Sequence, residues 1–282
     1  MTDITRRKMI FAALALSACS GLALACDAQS TSPLARTASA AQTSRDRSRS
    51  GAGKPTIVLV HGAWADATGW QEVIPLLQQG GYEVIAVQNP LVSLANDIET
   101  TKRVIDARSE RGPLVVVGHS YGGAVMTAAA AGNPNVKALV YVAAFAPDAG
   151  EAIGPLLEKY PSPLGTALVP DKAGFLYIDA SKFRDVFAAD VPERETRVMA
   201  VAQKPIFGGI LGQSSAVAAW RTVPSWYLVA KQDQAINPEL ERFYARRMGA
   251  KTTEIASSHV AFISRPREVA KIIVEAAETI SK

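Results

Sequence analysis

The stretch VVVGHSYGGAV, residues 115–125, decides how the rest of the chain is read. Its first residues are apolar and β-branched, the pattern of a strand buried on both faces. The run stops at Gly118. Ser120 follows with a glycine two positions to either side, and an alanine-rich stretch of helical character begins after it. A strand that enters a helix through so tight a turn strains the residue at the corner, and bulky neighbours two positions away would collide. The turn pushes the Ser120 hydroxyl out of the sheet. It also aims the free N–H groups of the new helix at whatever negative charge develops there. The plainer reading of the same residues is a glycine-rich strand-to-helix turn with no chemistry.

Outward from this point the chain alternates. Apolar strands are expected at residues 56–60, 82–87, 114–117, 136–143, 226–230 and 251–256. Helical periodicity falls at 70–79, 93–108, 122–131, 238–248 and 266–280. Strands apolar on both faces, separated by helices, predict an α/β fold with a mostly parallel central sheet covered on both sides. Residues 151–215 break the rhythm. They carry six prolines and short helical stretches, and read as a helical cap inserted over the sheet.

A serine nucleophile needs a base, and histidine is the usual one. The chain has three histidines. His119 adjoins the serine on a sharp turn, so its side chain is expected to point elsewhere. His61 follows the first strand in His61-Gly62-Ala63-Trp64, a place suited to shaping a loop near the serine. His259 lies in SSHV just past the last strand, and is the candidate base. The base needs a carboxylate to hold its tautomer. Asp233 stands directly after the strand at 226–230; Asp148, after the strand at 136–143, is the rival. The order Ser120, Asp233, His259 is the Ser…Asp…His order of one hydrolase arrangement.

With these residues in place, residues 55–282 resemble an α/β-hydrolase. The resemblance rests on HGAW at 61–64, GHSYGG at 118–123, Asp233 within KQDQAINPE, and His259 within SSHV with Pro266 downstream. Within the superfamily the chain resembles the small cofactor-free serine esterases, a group that includes plant methyl esterases and hydroxynitrile lyases. That resemblance implies an oxyanion hole from the backbone N–H groups of Ala63 and Tyr121. It also implies a substrate pocket under the cap, with Trp64, Phe145, Phe175 and Phe187 as candidate contacts. Tyr177, Phe183 and Phe207 belong to the same aromatic set, some of which is expected in the cap's own core. The lyases resemble a variant with threonine for the HG glycine and lysine after the histidine; Gly62 and Val260 stand there instead. The implied activity is carboxylic-ester hydrolysis through an acyl-enzyme, without cofactor, on a small-molecule ester. A ligand-binding protein with little turnover, and a perhydrolase or lyase, remain open alternatives.

The chain has 282 residues, 48% of them hydrophobic, and a net charge of +4. Eight of the basic residues and three of the acidic ones lie at or before Lys54, so that stretch carries +5 and the remainder about −1. The basicity is therefore terminal and gives no footprint for nucleic acid. Arg6, Arg7 and Lys8 precede an apolar run with small residues near its end, the pattern of an export signal over residues 1–28. The run is short for a membrane span, so no transmembrane segment is expected in the mature protein. Residues 29–53 read as a flexible linker, and 54–282 as the folded domain. Periplasmic or secreted placement follows, with lipid anchoring at Cys19 or Cys26 as one route. No cysteine follows Cys26, so the body has neither a disulfide nor a thiol nucleophile. With three histidines and no dinucleotide or phosphate-loop fingerprint, neither metal nor cofactor is expected. Nothing in the sequence speaks to oligomeric state.

Overall fold

The computed structural model describes residues 53–281. The export signal and linker expected before them lie, apart from Gly53, outside the described residues. The central sheet is built from β1 (Thr56–Val60), β2 (Val84–Val87), β3 (Leu114–Ser120) and β4 (Val136–Ala144). Three cap strands follow, β5 (Leu168–Pro170), β6 (Phe175–Ile178) and β7 (Ile206–Phe207), before β8 (Ser225–Ala230) and β9 (Lys251–Ile255) complete the sheet. Its order is β2-β1-β3-β4-β8-β9, and every pairing is parallel. All residues of β1 and β3 are buried.

Strand alternation sorts these side chains into two cores. Ile57, Leu59, Val115 and Val117 face one side, against α1 (Val73–Gln79) and the closing helix at Pro266–Thr279. Val58, Val60 and Val116 face the other, against α2 (Leu94–Ser109), α3 (Tyr121–Ala129) and α7 (Pro238–Met248). Each fully buried Val, Leu or Ile contributes about 1.5–3 kcal/mol on leaving water. The outer strand β9 instead exposes Lys251 and Glu254, charges that discourage a further strand from adding at this edge.

The structure departs from the sequence expectation at three places. The helix expected at 70–79 divides: Asp66 caps a 3₁₀ turn at Ala67–Trp70, and α1 begins only at Val73. β3 runs on to Ser120, because His119 and Ser120 still pair with Val142 and Ala144 of β4 across a register shift. The cap, expected as helical, is mixed. It contains α4 (Ile153–Lys159), α5 (Phe183–Phe187) and α6 (Glu193–Ala202), but also an antiparallel sheet in the order β5-β6-β7. Its hairpin closes through Asp171, whose carboxylate accepts the N–H groups of Ala173 and Phe175 at 2.8 and 2.9 Å, and through Gly174 at φ 83°. Aspartate and glycine at those offsets are turn chemistry; the strands they join are too short to show as alternation.

Candidate active site

The Ser120 corner is strained as its sequence requires. Ser120 has φ 52° and ψ −126°, and α3 starts at the next residue. A non-glycine residue held there costs about 1–3 kcal/mol and persists only where its surroundings over-determine it. They do. A β-carbon at Gly122 would lie 2.4 Å from the Val60 carbonyl oxygen, and one at Gly62 would lie 2.7 Å from Ser120 Cβ. The helix start and the loop after β1 therefore close on the serine from both sides. A side chain at position 62, such as the threonine of the lyase pattern, would require Ser120 to move.

The three histidines are placed differently. His61 is buried and bonded twice to backbone: Nδ1 donates to Gly62 O at 2.8 Å, and Nε2 accepts from Asn89 N at 3.0 Å. Burial lowers its pKa to about 4, so it is a neutral structural ring. His119 Nε2 donates to the carbonyl of His259 at 3.0 Å, and its ring packs on those of His259 and Phe262. Burial, then the neighbouring His259, pushes its pKa well down. His259 alone meets a carboxylate: its Nδ1 lies 2.5 Å from Asp233 Oδ2. Its Nε2 is buried and has no partner among the described residues.

Asp233 is over-determined. Its Oδ1 accepts the N–H groups of Ala235 and Ile236 at 2.6 and 2.9 Å, leaving Oδ2 for His259. The rival Asp148 lies elsewhere, with both oxygens taken by Arg221 at 2.7 Å.

Ser120, Ala63 and Tyr121 border one cavity of about 240 Å³, together with Trp64 and Phe145. Tyr121 opens α3, so its N–H has no acceptor within the helix. No charged side chain lines the cavity. Phe175 and Phe187 are not among its walls. Strand alternation turns Phe175 away, onto Phe207, and brings Leu176 to the cavity in its place. Phe187 belongs to the core beneath, packed against Trp64, Phe183 and His259. Leu164, Leu176 and Ile206 are among the cap residues that add to the wall, and aromatic content gave no hint of them.

A buried polar network supports the corner from behind. The Tyr121 hydroxyl donates to Asp97 Oδ2 at 2.7 Å, and Leu91 N donates to Oδ1 at 2.9 Å. Burial raises the Asp97 pKa against both donors. Asp97 falls in register with Leu94, Thr101 and Ile105 on the buried face of α2. A carboxylate on an apolar stripe was the signal available in the sequence. Tyr121→Phe removes one donor from this buried carboxyl and is expected to cost about 1–3 kcal/mol of stability. Urea unfolding measures it, as a lower midpoint at unchanged slope.

Residues 57–272 match the alpha/beta hydrolase family, and the chain belongs to it. Among its relatives, it is 27% identical to the alpha/beta hydrolase nvfD of Aspergillus novofumigatus over 79% of this chain and 97% of that one. It is 24% identical to the polyneuridine aldehyde esterase of Rauvolfia serpentina, over 79% and 95% of the respective chains. The crystal structure of a pyrethroid hydrolase from Sphingobium faniae superposes with a TM-score of 0.68 at 21% identity, covering 79% of this chain and 97% of that one. That last likeness is one of fold. Among the described residues no group of His, Cys, Asp and Glu could hold a metal ion, and no helix is long and apolar enough to cross a membrane.

Proposed function

We propose that this protein hydrolyses carboxylic esters through an acyl-enzyme on Ser120. The observation that carries the proposal is the His259–Asp233 pair. It is buried against His119, the neighbour of the strained Ser120, and leaves the second imidazole nitrogen without a partner among the described residues. Ser120 Oγ attacks the ester carbonyl while its proton passes to His259 Nε2. Asp233 holds Nδ1–H and stabilises the imidazolium. The carbonyl oxygen, now negative, takes the N–H groups of Ala63 and Tyr121. Collapse expels the alcohol, which receives the proton from His259. Water then repeats the sequence on the acyl-enzyme, and the acid leaves. Relatives described as esterases support the reaction class.

The cavity narrows the substrate. Its walls offer apolar surface and no cation, so a charged acyl group would be desolvated without a partner, at a cost of several kcal/mol. A panel of p-nitrophenyl esters tests this. Acetate and butyrate esters should turn over, and the hemisuccinate, with its free carboxylate, should be slower in kcat/KM by about 100-fold or more. Equal rates on butyrate and hemisuccinate would overturn the substrate assignment.

A further inference from the structure

Behind the Asp233–His259 pair lies a second carboxyl that the mechanism above does not use. Glu241 stands in the first turn of α7 and is fully buried. Its neighbours on that face are Leu240, Tyr244 and Ala245, all core residues. Glu241 Oε2 accepts the N–H of Ala230 at 3.0 Å, while the Ala230 carbonyl accepts the N–H of Asp233 at 3.1 Å. One residue at the end of β8, Ala230, thus bonds to both acids, to one through its N–H and to the other through its carbonyl. The remaining oxygen, Oε1, is buried and receives no donor from the described residues. The Asp233 carboxylate is the charge that acts most strongly on the Glu241 carboxyl.

A hydrogen bond between two carboxyls requires a proton on one of them, and two buried neighbours cannot both ionise. The donors decide which one keeps it. Asp233 has three: the N–H groups of Ala235 and Ile236, and His259 Nδ1–H. Glu241 has only Ala230 N–H. The other groups nearby do not change this balance. The Tyr227 hydroxyl, on β8, is spent on the Ala144 carbonyl. The Tyr244 hydroxyl is buried and donates neither to Glu241 nor to any other described residue. Arg242 attracts Glu241 only weakly, because its guanidinium is bonded at the surface to Glu239 and Glu254.

We infer that Glu241 is a neutral carboxylic acid whose O–H donates to Asp233, making it a positioning residue behind the His259–Asp233 pair. Burial and the Asp233 charge both raise its pKa, consistent with that state. The donation fixes the Asp233 carboxylate and draws off part of its charge. Asp233 therefore orients His259 without over-stabilising the imidazolium. The catalytic consequence rests on the ester-hydrolase proposal; the protonation state does not.

Two arms test it. The first is linkage. The unfolded chain ionises Glu241 above its ordinary pKa near 4.5, whereas the folded protein keeps the proton. Stability therefore falls with rising pH by the contribution of one proton. Relative to Glu241→Gln, which cannot ionise, the parent's folding equilibrium constant should fall about tenfold per pH unit from roughly pH 5.5 upward. A ratio independent of pH overturns the inference. So does failure to see a protonated-carboxyl infrared band in the parent, a readout that stands even if the variant folds poorly. The second arm is the pH profile of kcat/KM. Glu241→Met removes the donor, should lower kcat/KM on the order of tenfold or more, and should move the acid limb to higher pH. Glu241→Gln can still donate to Asp233 and accept from Ala230, and should restore the parent's acid limb. An acid limb that drops in Glu241→Gln would mean that a negative charge had been removed, and contradicts the inference. If the parent hydrolyses no ester, the function proposal fails, and the linkage arm still decides the state of Glu241.

Discussion

Ser120→Ala should lower kcat/KM on short p-nitrophenyl esters by about 10⁴-fold or more while leaving the fold and the cavity intact. The size of the effect follows from the corner geometry. Ser120 is placed by β3, the start of α3 and the loop carrying Gly62. Removing Oγ leaves no atom to form the acyl bond. Ala63 and Tyr121 still border the site, so weak acceleration over water remains through polarisation of the bound ester. Alanine adopts the same φ of 52° no more easily than serine, and the packing that enforces it is unchanged. The thermal midpoint should therefore stay close to the parent's. Turnover within tenfold of the parent would show that Ser120 is not the nucleophile.

Asp233→Asn should cost about 10⁴-fold in kcat. Here the loss is one of tautomer rather than of fold. The asparagine carbonyl can take over the two bonds from Ala235 and Ile236, because Oδ1 already accepts both. Its NH₂ then faces His259 Nδ1, which must accept instead of donate. The proton moves to Nε2, the nitrogen that should take it from Ser120, and the base is lost. Asp148→Asn is the internal control. That carboxylate is held by Arg221 at the surface, and its replacement should leave turnover unchanged. Steady-state kinetics on both variants decide between the two acids. A large loss with Asp148→Asn and none with Asp233→Asn would reverse the assignment.

Periodicity carried most of the sheet. Six apolar runs between helical stretches are enough to predict parallel order, since strands buried on both faces need helices on both sides. The Ser120 corner was legible because steric demand leaves glycine few substitutes at positions 118 and 122. His259 and Asp233 could be paired from chain order and strand ends alone; their 2.5 Å contact required coordinates. The cavity wall was the least legible part. Phe175 and Phe187 looked like substrate contacts by residue type, but a two-residue period and a core contact send them elsewhere. Asp97 and Glu241 were hidden for a related reason. Each sits on the buried stripe of an amphipathic helix, where a lone carboxylate is easily passed over as a surface residue.

Fluorophosphonate labelling followed by mass mapping asks whether Ser120 is the nucleophile. It reads the bond that the mechanism requires, independently of which ester the enzyme prefers. The parent should take up one equivalent, with the adduct on the peptide containing Ser120. Ser120→Ala should take up none, and Asp233→Asn should label far more slowly. No adduct on the parent, or an adduct on any other residue, would contradict the account.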